Sequence, residues 1–142
     1  MAGGLILKQA RELGIEGPFF GGDVWNSPEI ITSAGEAAEG IMFTFPAQYT
    51  GEEYQKFTTA FKEKYGTEPD VNASQAYDTM KVIALVMKKT GFKPEDIKVE
   101  LHKVKRYKGV TGEISFDENG DRIGMTYAKR IVKEGKIIPY HK

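Results

Sequence analysis

A carboxylate set beside two glycines and a tryptophan gives this sequence its one arrangement suited to ligand recognition: Phe19-Phe20-Gly21-Gly22-Asp23-Val24-Trp25. Pro18-Phe19-Phe20 reads as a short buried strand, so Asp23 falls just beyond a strand's carboxyl end. In open α/β sheets ligands sit at that end. Glycines let ligand and backbone approach closely, and a carboxylate there can pair with an ammonium through a strong, charge-assisted hydrogen bond. A plain loop with Asp23 as turn residue or local cap fits equally well, and position alone leaves both readings open.

Other chemistry is sparse. There is no P-loop, dinucleotide-type glycine fingerprint or nucleophile elbow. His102 lies in a lysine-rich helical stretch and His141 in the terminal tail, and two isolated histidines do not make a metal site, which needs three or four ligands. Asp117-Glu118-Asn119-Gly120-Asp121 lacks the ligand spacing of a calcium loop and reads as a hairpin turn. Asn72-Ala73-Ser74 fits a glycosylation acceptor, a pattern common by chance. With no cysteines, disulfides and thiolate chemistry are excluded. No catalytic residue, metal or cofactor is expected.

The elements that must position these residues follow from periodicity. Ile6, Ala10 and Leu13 predict a helix closed by Gly14. Ser27-Pro28 predicts an N-cap and first helical residue of a short helix reaching about Gly35. Gly40 to Thr44 reads as a second buried strand. Thr50 and Glu53 have the spacing of a capping box before a helix with Tyr54, Phe57 and Phe61 on one face and Gly66 at its end. Ala73, Ala76, Tyr77, Met80, Ile83, Ala84 and Met87 trace a wide apolar stripe on a long helix closed by Gly91. Pro94 opens another helix, with Ile97, Leu101 and Val104 as its buried face. Then Gly109–Gly112 turns, Ile114 to Phe116 is a strand, and Asn119-Gly120 signals a hairpin. Met125 to Val132 is a strand with Met125, Tyr127 and Ile131 on one face, and Glu134-Gly135 turns into Ile137-Ile138. Strands alternating with helices, then hairpins, predict an α/β fold with a mixed C-terminal edge.

Composition bounds the rest. The chain has 142 residues, 20 basic and 20 acidic, for zero formal net charge. That argues against a nucleic-acid partner. No apolar run reaches the roughly 20 residues needed to cross a bilayer, so no membrane insertion is expected. Lys8, Gln9 and Arg11 interrupt the opening apolar run, so no signal peptide is expected at the start. The chain opens on a helix without the strand a βαβ unit needs before it, and Asn72 to Lys105 is helical with no parallel strand to pack on. Both suggest that part of the fold lies elsewhere.

The order of blocks resembles branched-chain amino-acid-binding proteins, the leucine/isoleucine/valine type. The blocks are Leu7-Lys8-Gln9-Ala10-Arg11-Glu12-Leu13-Gly14 with Pro18 to Asp23, Ala34 to Gly40, Phe61-Lys62-Glu63-Lys64-Tyr65-Gly66 with Glu68-Pro69-Asp70, Ala76-Tyr77-Asp78, Gly109 to Gly112, and Ile114 to Asp121. They run in order over nearly the whole chain.

The resemblance implies a type I periplasmic-binding-protein-like fold, of which this chain is the C-terminal portion with incomplete lobes. Residues 1–70 would belong to the second lobe, 71–123 would return to the first, and 124–142 would cross back. The implied function is an extracytoplasmic solute-binding component of an ABC importer, holding its ligand by lobe closure. Asp23 matches the acid that takes the ligand ammonium, and Trp25 becomes a cleft-lining candidate. Asn72 and Gln75 match a crossing that borders the ligand side chain, where many relatives carry a bulkier residue than Asn72. The implied partners are a small-molecule amino acid and an ABC permease, with a periplasmic or extracellular location for the parent protein. The alternative is a truncated, non-binding assembly protein: Tyr77, Met80 and Met87 would then need a partner surface, predicting a homo-oligomer or a missing N-terminal part. A flavodoxin-like enzyme is a third reading, without a base, nucleophile or metal set.

Overall fold

A computed structural model describes residues 2–141. The residues up to Ala47 and those from Thr126 onward form one compact unit; Gln48–Met125 form another.

In the first unit, α1 (Ala2–Glu12) ends as its glycine predicts. Gly14 has φ 76°, its N–H donates to Arg11 O at 3.0 Å, and Ile15 N–H reaches Ala10 O at 3.0 Å. This pair of bonds satisfies the last carbonyls of the helix. The buried face differs from the expected Ile6–Ala10–Leu13 face. Gly4, Leu7 and Ala10 are buried, whereas Ile6 and Leu13 are exposed. The reason is a close helix crossing. A Cβ on Gly4 would lie 1.9 Å from Ser33 Oγ, so only glycine lets this face of α1 approach α2 (Pro28–Ala34). Ser27 caps α2 as predicted, accepting from Glu29 N–H at 3.2 Å.

The four-stranded sheet has the order β1-β2-β6-β7, from β1 (Phe20–Gly21), β2 (Met42–Pro46), β6 (Tyr127–Lys133) and β7 (Lys136–Pro139). β1 and β2 are parallel, with Phe20 opposite Met42. β6 runs antiparallel to β2, with Met42 opposite Ile131, and β7 antiparallel to β6. This is the expected α/β class with its mixed edge. The first strand lies slightly later than Pro18–Phe20, and Phe20 is exposed; Phe19 instead packs on the core. On β6 the core side chain is Val132, while Tyr127 is exposed, so the buried parity is opposite to the expected Met125–Tyr127–Ile131 face. The core joins Leu7, Ile30, Ala34, Ala38, Ile41, Phe43 and Val132.

In the second unit, α3 (Glu52–Tyr65), α4 (Val71–Thr90) and α5 (Pro94–Leu101) accompany an antiparallel sheet of β3 (Tyr107–Gly109), β4 (Gly112–Phe116) and β5 (Arg122–Ile123). Thr50 does not cap α3. Gly51 takes the cap position with φ 104° and no side-chain bond, because its positive φ makes the turn that Thr50 would have had to close. Gly66 ends α3 in the left-handed region, with φ 73°. Phe57 of α3 meets Tyr77 of α4 at 4.8 Å between ring centroids. This contact lies within the unit of residues 48–125.

The long helix buries a face the apolar stripe did not indicate. Ser74, Asp78, Val82 and Val86 are buried at i, i+4 spacing, whereas Tyr77 and Met80 are exposed. Asp78, at 2% exposure, explains the choice. Its carboxylate accepts from Val110 N–H at 2.8 Å, from Thr111 N–H at 2.8 Å and from the Thr111 hydroxyl at 2.5 Å. A buried charge is tolerable when it is this fully bonded. A Cβ on Gly109 would lie 2.5 Å from Asp78 Oδ2, so the turn's glycine is required for the approach. The predicted hairpin between β4 and β5 is present: Asp117 Oδ1 accepts from Asn119 N–H at 2.9 Å and Asp121 N–H at 2.8 Å, and Gly120 has φ 87°.

Candidate functional site

Asp23 opens a short 3-10 turn, Asp23–Trp25, two residues beyond β1. The turn forms because Trp25 N–H returns to Gly22 O at 3.1 Å and Asn26 N–H to Asp23 O at 2.9 Å. Backbone atoms close the turn, which leaves the Asp23 carboxylate free for other work. That side chain is exposed and belongs to no salt bridge among the described residues.

Trp25 is half-buried against the core of the first unit. An added Cβ at Gly21 would lie 2.4 Å from its indole, and one at Gly3 2.9 Å from Nε1. The indole therefore lies between the N-terminal turn of α1 and the backbone of β1. Gly21, read from sequence as room for a ligand, is room for this ring. Trp25 thus anchors the turn that presents Asp23.

Asn72 and Gln75 sit one helical turn apart at the start of α4, a spacing that puts them on one side of the helix. Asp70 caps this helix, accepting from Ala73 N–H at 2.7 Å. Asn72 is exposed and Gln75 half-buried. Gln75 Nε2 donates to the Tyr49 hydroxyl at 3.0 Å, and the Tyr49 ring meets Tyr54 edge-on at 5.8 Å. Sequence reasoning missed Tyr49; its 26-residue separation from Gln75 leaves no local signal. Asp23 and Trp25 are thus together in one unit, Asn72 and Gln75 in the other.

His102 lies beside Gly120, whose Cβ position is 3.2 Å from the imidazole Cε1, and His141 is exposed. No group of three potential metal-ligating side chains occurs among the described residues. Among the described residues, no helix is long and apolar enough to cross a membrane.

Residues 2–136 match the family described as periplasmic binding protein. The chain is 31% identical over 119 residues to a leucine-, isoleucine-, valine-, threonine- and alanine-binding protein of Pseudomonas aeruginosa, covering 83% of this chain and 32% of that protein. Among solved structures it is similar to a leucine-binding protein of Thermotoga maritima, with a TM-score of 0.74 and 35% identity over 99% of this chain and 41% of that one. It is also similar to a branched-chain amino acid transporter substrate-binding protein of Streptococcus pneumoniae, crystallised with isoleucine, with a TM-score of 0.68 and 33% identity over 96% of this chain and 40% of that one. The chain spans about a third of its curated relative's length and two fifths of the solved ones.

Proposed function

Because the chain belongs to the periplasmic-binding-protein family, a family of binding proteins rather than enzymes, we propose that it is the C-terminal part of an extracytoplasmic solute-binding protein serving an ABC importer for a branched-chain or related amino acid. The observation that carries this reading is the likeness to the Thermotoga maritima leucine-binding protein over 99% of the chain. In the whole protein, residues 1–70 and 124–142 belong to the second lobe and 71–123 to the first, and the lobes close on the ligand. Asp23 accepts the ligand ammonium. Its exposure and its lack of an ion-pair partner among the described residues support that role, since a carboxylate already paired would have little to offer. Trp25 holds the Asp23 turn at the cleft wall, and Asn72 and Gln75 border the ligand side chain. The parent protein works outside the cytoplasm and delivers to a permease.

The test uses a two-lobed protein. This chain replaces the corresponding segment of the Thermotoga maritima leucine-binding protein, and folding is checked by circular dichroism. Calorimetry with leucine, isoleucine and valine is expected to show binding. Asp23→Ala should weaken it roughly 10- to 150-fold, the worth of about 1.5–3 kcal/mol for a hydrogen bond to a charged group. Unchanged affinity removes Asp23 from the site; a folded chimera that binds none of the three amino acids overturns the reading.

A second reading is favoured by one observation. Tyr77, Met80 and Leu85 are 42%, 64% and 51% exposed on α4. Apolar surface of this kind marks contact with another surface, so a homo-oligomeric assembly protein is the alternative. Light scattering on the 142-residue chain that returns a folded monomer at micromolar concentration rules it out.

A further inference from the structure

We propose that the groove between α3, α4 and β3 is a binding site of its own, for a small aromatic acid; it does not depend on the amino-acid-binding reading above. The groove lies wholly within the second unit. Its volume, about 820 Å³, falls in the range of roughly 300–1,000 Å³ typical of small-molecule clefts. Four of the rings along it touch in series. Tyr77 meets Phe57 at 4.8 Å, Phe57 meets Phe61 at 5.6 Å, and Phe61 meets Tyr65 at 4.6 Å between centroids. Ala60, Ala73 and Ala76 also line the groove, and their small side chains leave the space open. A wall of rings favours a flat aromatic body, because ring pairs gain energy beyond the area they bury.

The charges around the groove set the sign of its occupant. Lys64, Lys81 and Lys108 line it and belong to no salt bridge among the described residues. Lys64 Nζ lies 5.4 Å from the centroid of the Tyr65 ring, and Lys81 Nζ 5.9 Å from that of Tyr77. Cations therefore stand beside the aromatic wall. The remaining charges are committed elsewhere. Glu53 pairs with Lys56 at 3.3 Å, and the Asp78 carboxylate accepts from Val110 and Thr111. The groove thus offers a ligand uncommitted ammonium groups and no uncommitted carboxylate, which complements an anion carried on a ring. The same charges argue against a second copy as the occupant. A two-fold contact presents the same patch from both copies, and like charges brought face to face oppose association.

The test uses the 142-residue chain and three probes: anilinonaphthalene sulfonate, an anionic aromatic; phenylnaphthylamine, its neutral counterpart; and decanoate, a saturated carboxylate. Methyl nuclear magnetic resonance with the sulfonate is expected to shift Ala60, Ala76 and Met80. Ile97 and Leu101, which line a smaller cavity of about 400 Å³, should stay in place. Titration should show the sulfonate bound roughly 10-fold more tightly than decanoate. Lys81→Glu together with Lys108→Glu reverses two exposed charges; it should weaken the sulfonate roughly 10-fold and leave the neutral amine unchanged. Ala60→Phe fills the groove and should remove both aromatic probes, with the fold of each variant checked by circular dichroism. Asp23→Ala, in the other unit, should change none of this, so the site stands or falls apart from the solute reading. Shifts at Ile97 and Leu101 in place of the groove methyls overturn the proposal. So does decanoate binding as tightly as the sulfonate, or a sulfonate affinity untouched by the charge reversals or by Ala60→Phe. Probe affinity that falls as protein concentration rises also overturns it, because a second copy then occupies the groove.

Discussion

The two compact units are held together by different physics. The first is stabilised by apolar contact: seven buried hydrophobic residues form one cluster, and glycines at 4 and 21 bring backbones and an indole into close approach. The second has no buried residue on α3 or α5. Beside the buried apolar Val82, Val86, Val110 and Ile114 it buries a charge, Asp78, which ties α4 to the β3–β4 turn through three hydrogen bonds. Apolar packing tolerates small changes because its energy is spread over many contacts. A hydrogen-bonded buried carboxylate concentrates it in one group. The second unit should therefore be the more brittle of the two.

The sharpest way to break this contrast is Asp78→Ala, which strands two buried N–H groups and a hydroxyl. At about 1–3 kcal/mol for each unsatisfied group and less than full additivity, the loss should be about 4 kcal/mol by urea denaturation. A loss below about 1 kcal/mol would show that the clamp is dispensable. Leu7→Ala in the first unit should cost about 3 kcal/mol, within the range for core leucines, and leave the secondary structure of the second unit intact by hydrogen exchange. Gly21→Ala adds a methyl group where the indole of Trp25 already lies; about 2 kcal/mol of overpacking is expected, with a changed tryptophan emission as the local readout.

The smallest effect concerns surface charge. The Glu100 carboxyl is held below its ordinary value of 4.5 by the hydrogen bond from Lys89, then by that from Lys103. A depressed carboxylate contributes stability above its unfolded value and loses it as pH falls through the folded one. Acidification below about pH 4.5 should thus weaken the α4–α5 junction, and Glu100→Gln should remove that dependence from a pH series of melting curves. A wild-type chain and variant with the same acid profile would show that this ion pair contributes nothing.

Sequence marked the boundaries better than the faces. Gly14, Ser27-Pro28, Gly66 and Asn119-Gly120 ended or turned the chain where expected, because a positive φ or a cap is a local demand. Gly51 took the cap expected of Thr50, since two local signals competed at adjacent positions. Burial was less legible. Ile6, Leu13 and Tyr127 are apolar yet exposed, because the choice of inward face depends on what packs there, and Gly4 had made that choice on α1. The polar pair Ser74 and Asp78 interrupts no apolar pattern, and Asp78 finds its partners 32 and 33 residues away. For the candidate site, sequence singled out Asp23 and Gln75 as candidates, but the hydrogen-bond partner of Gln75, Tyr49, became visible only in the structure. Trp25, a cleft-lining candidate from the resemblance, is half-buried against the core of its own unit.

That indole has a practical consequence. It is the chain's sole tryptophan, and it closes the three-residue turn that Asp23 opens while packing against the backbone of β1. Capture of a solute at Asp23 would therefore alter the quantum yield or emission maximum of a single chromophore, giving the molecule a built-in optical gauge of occupancy that needs no label.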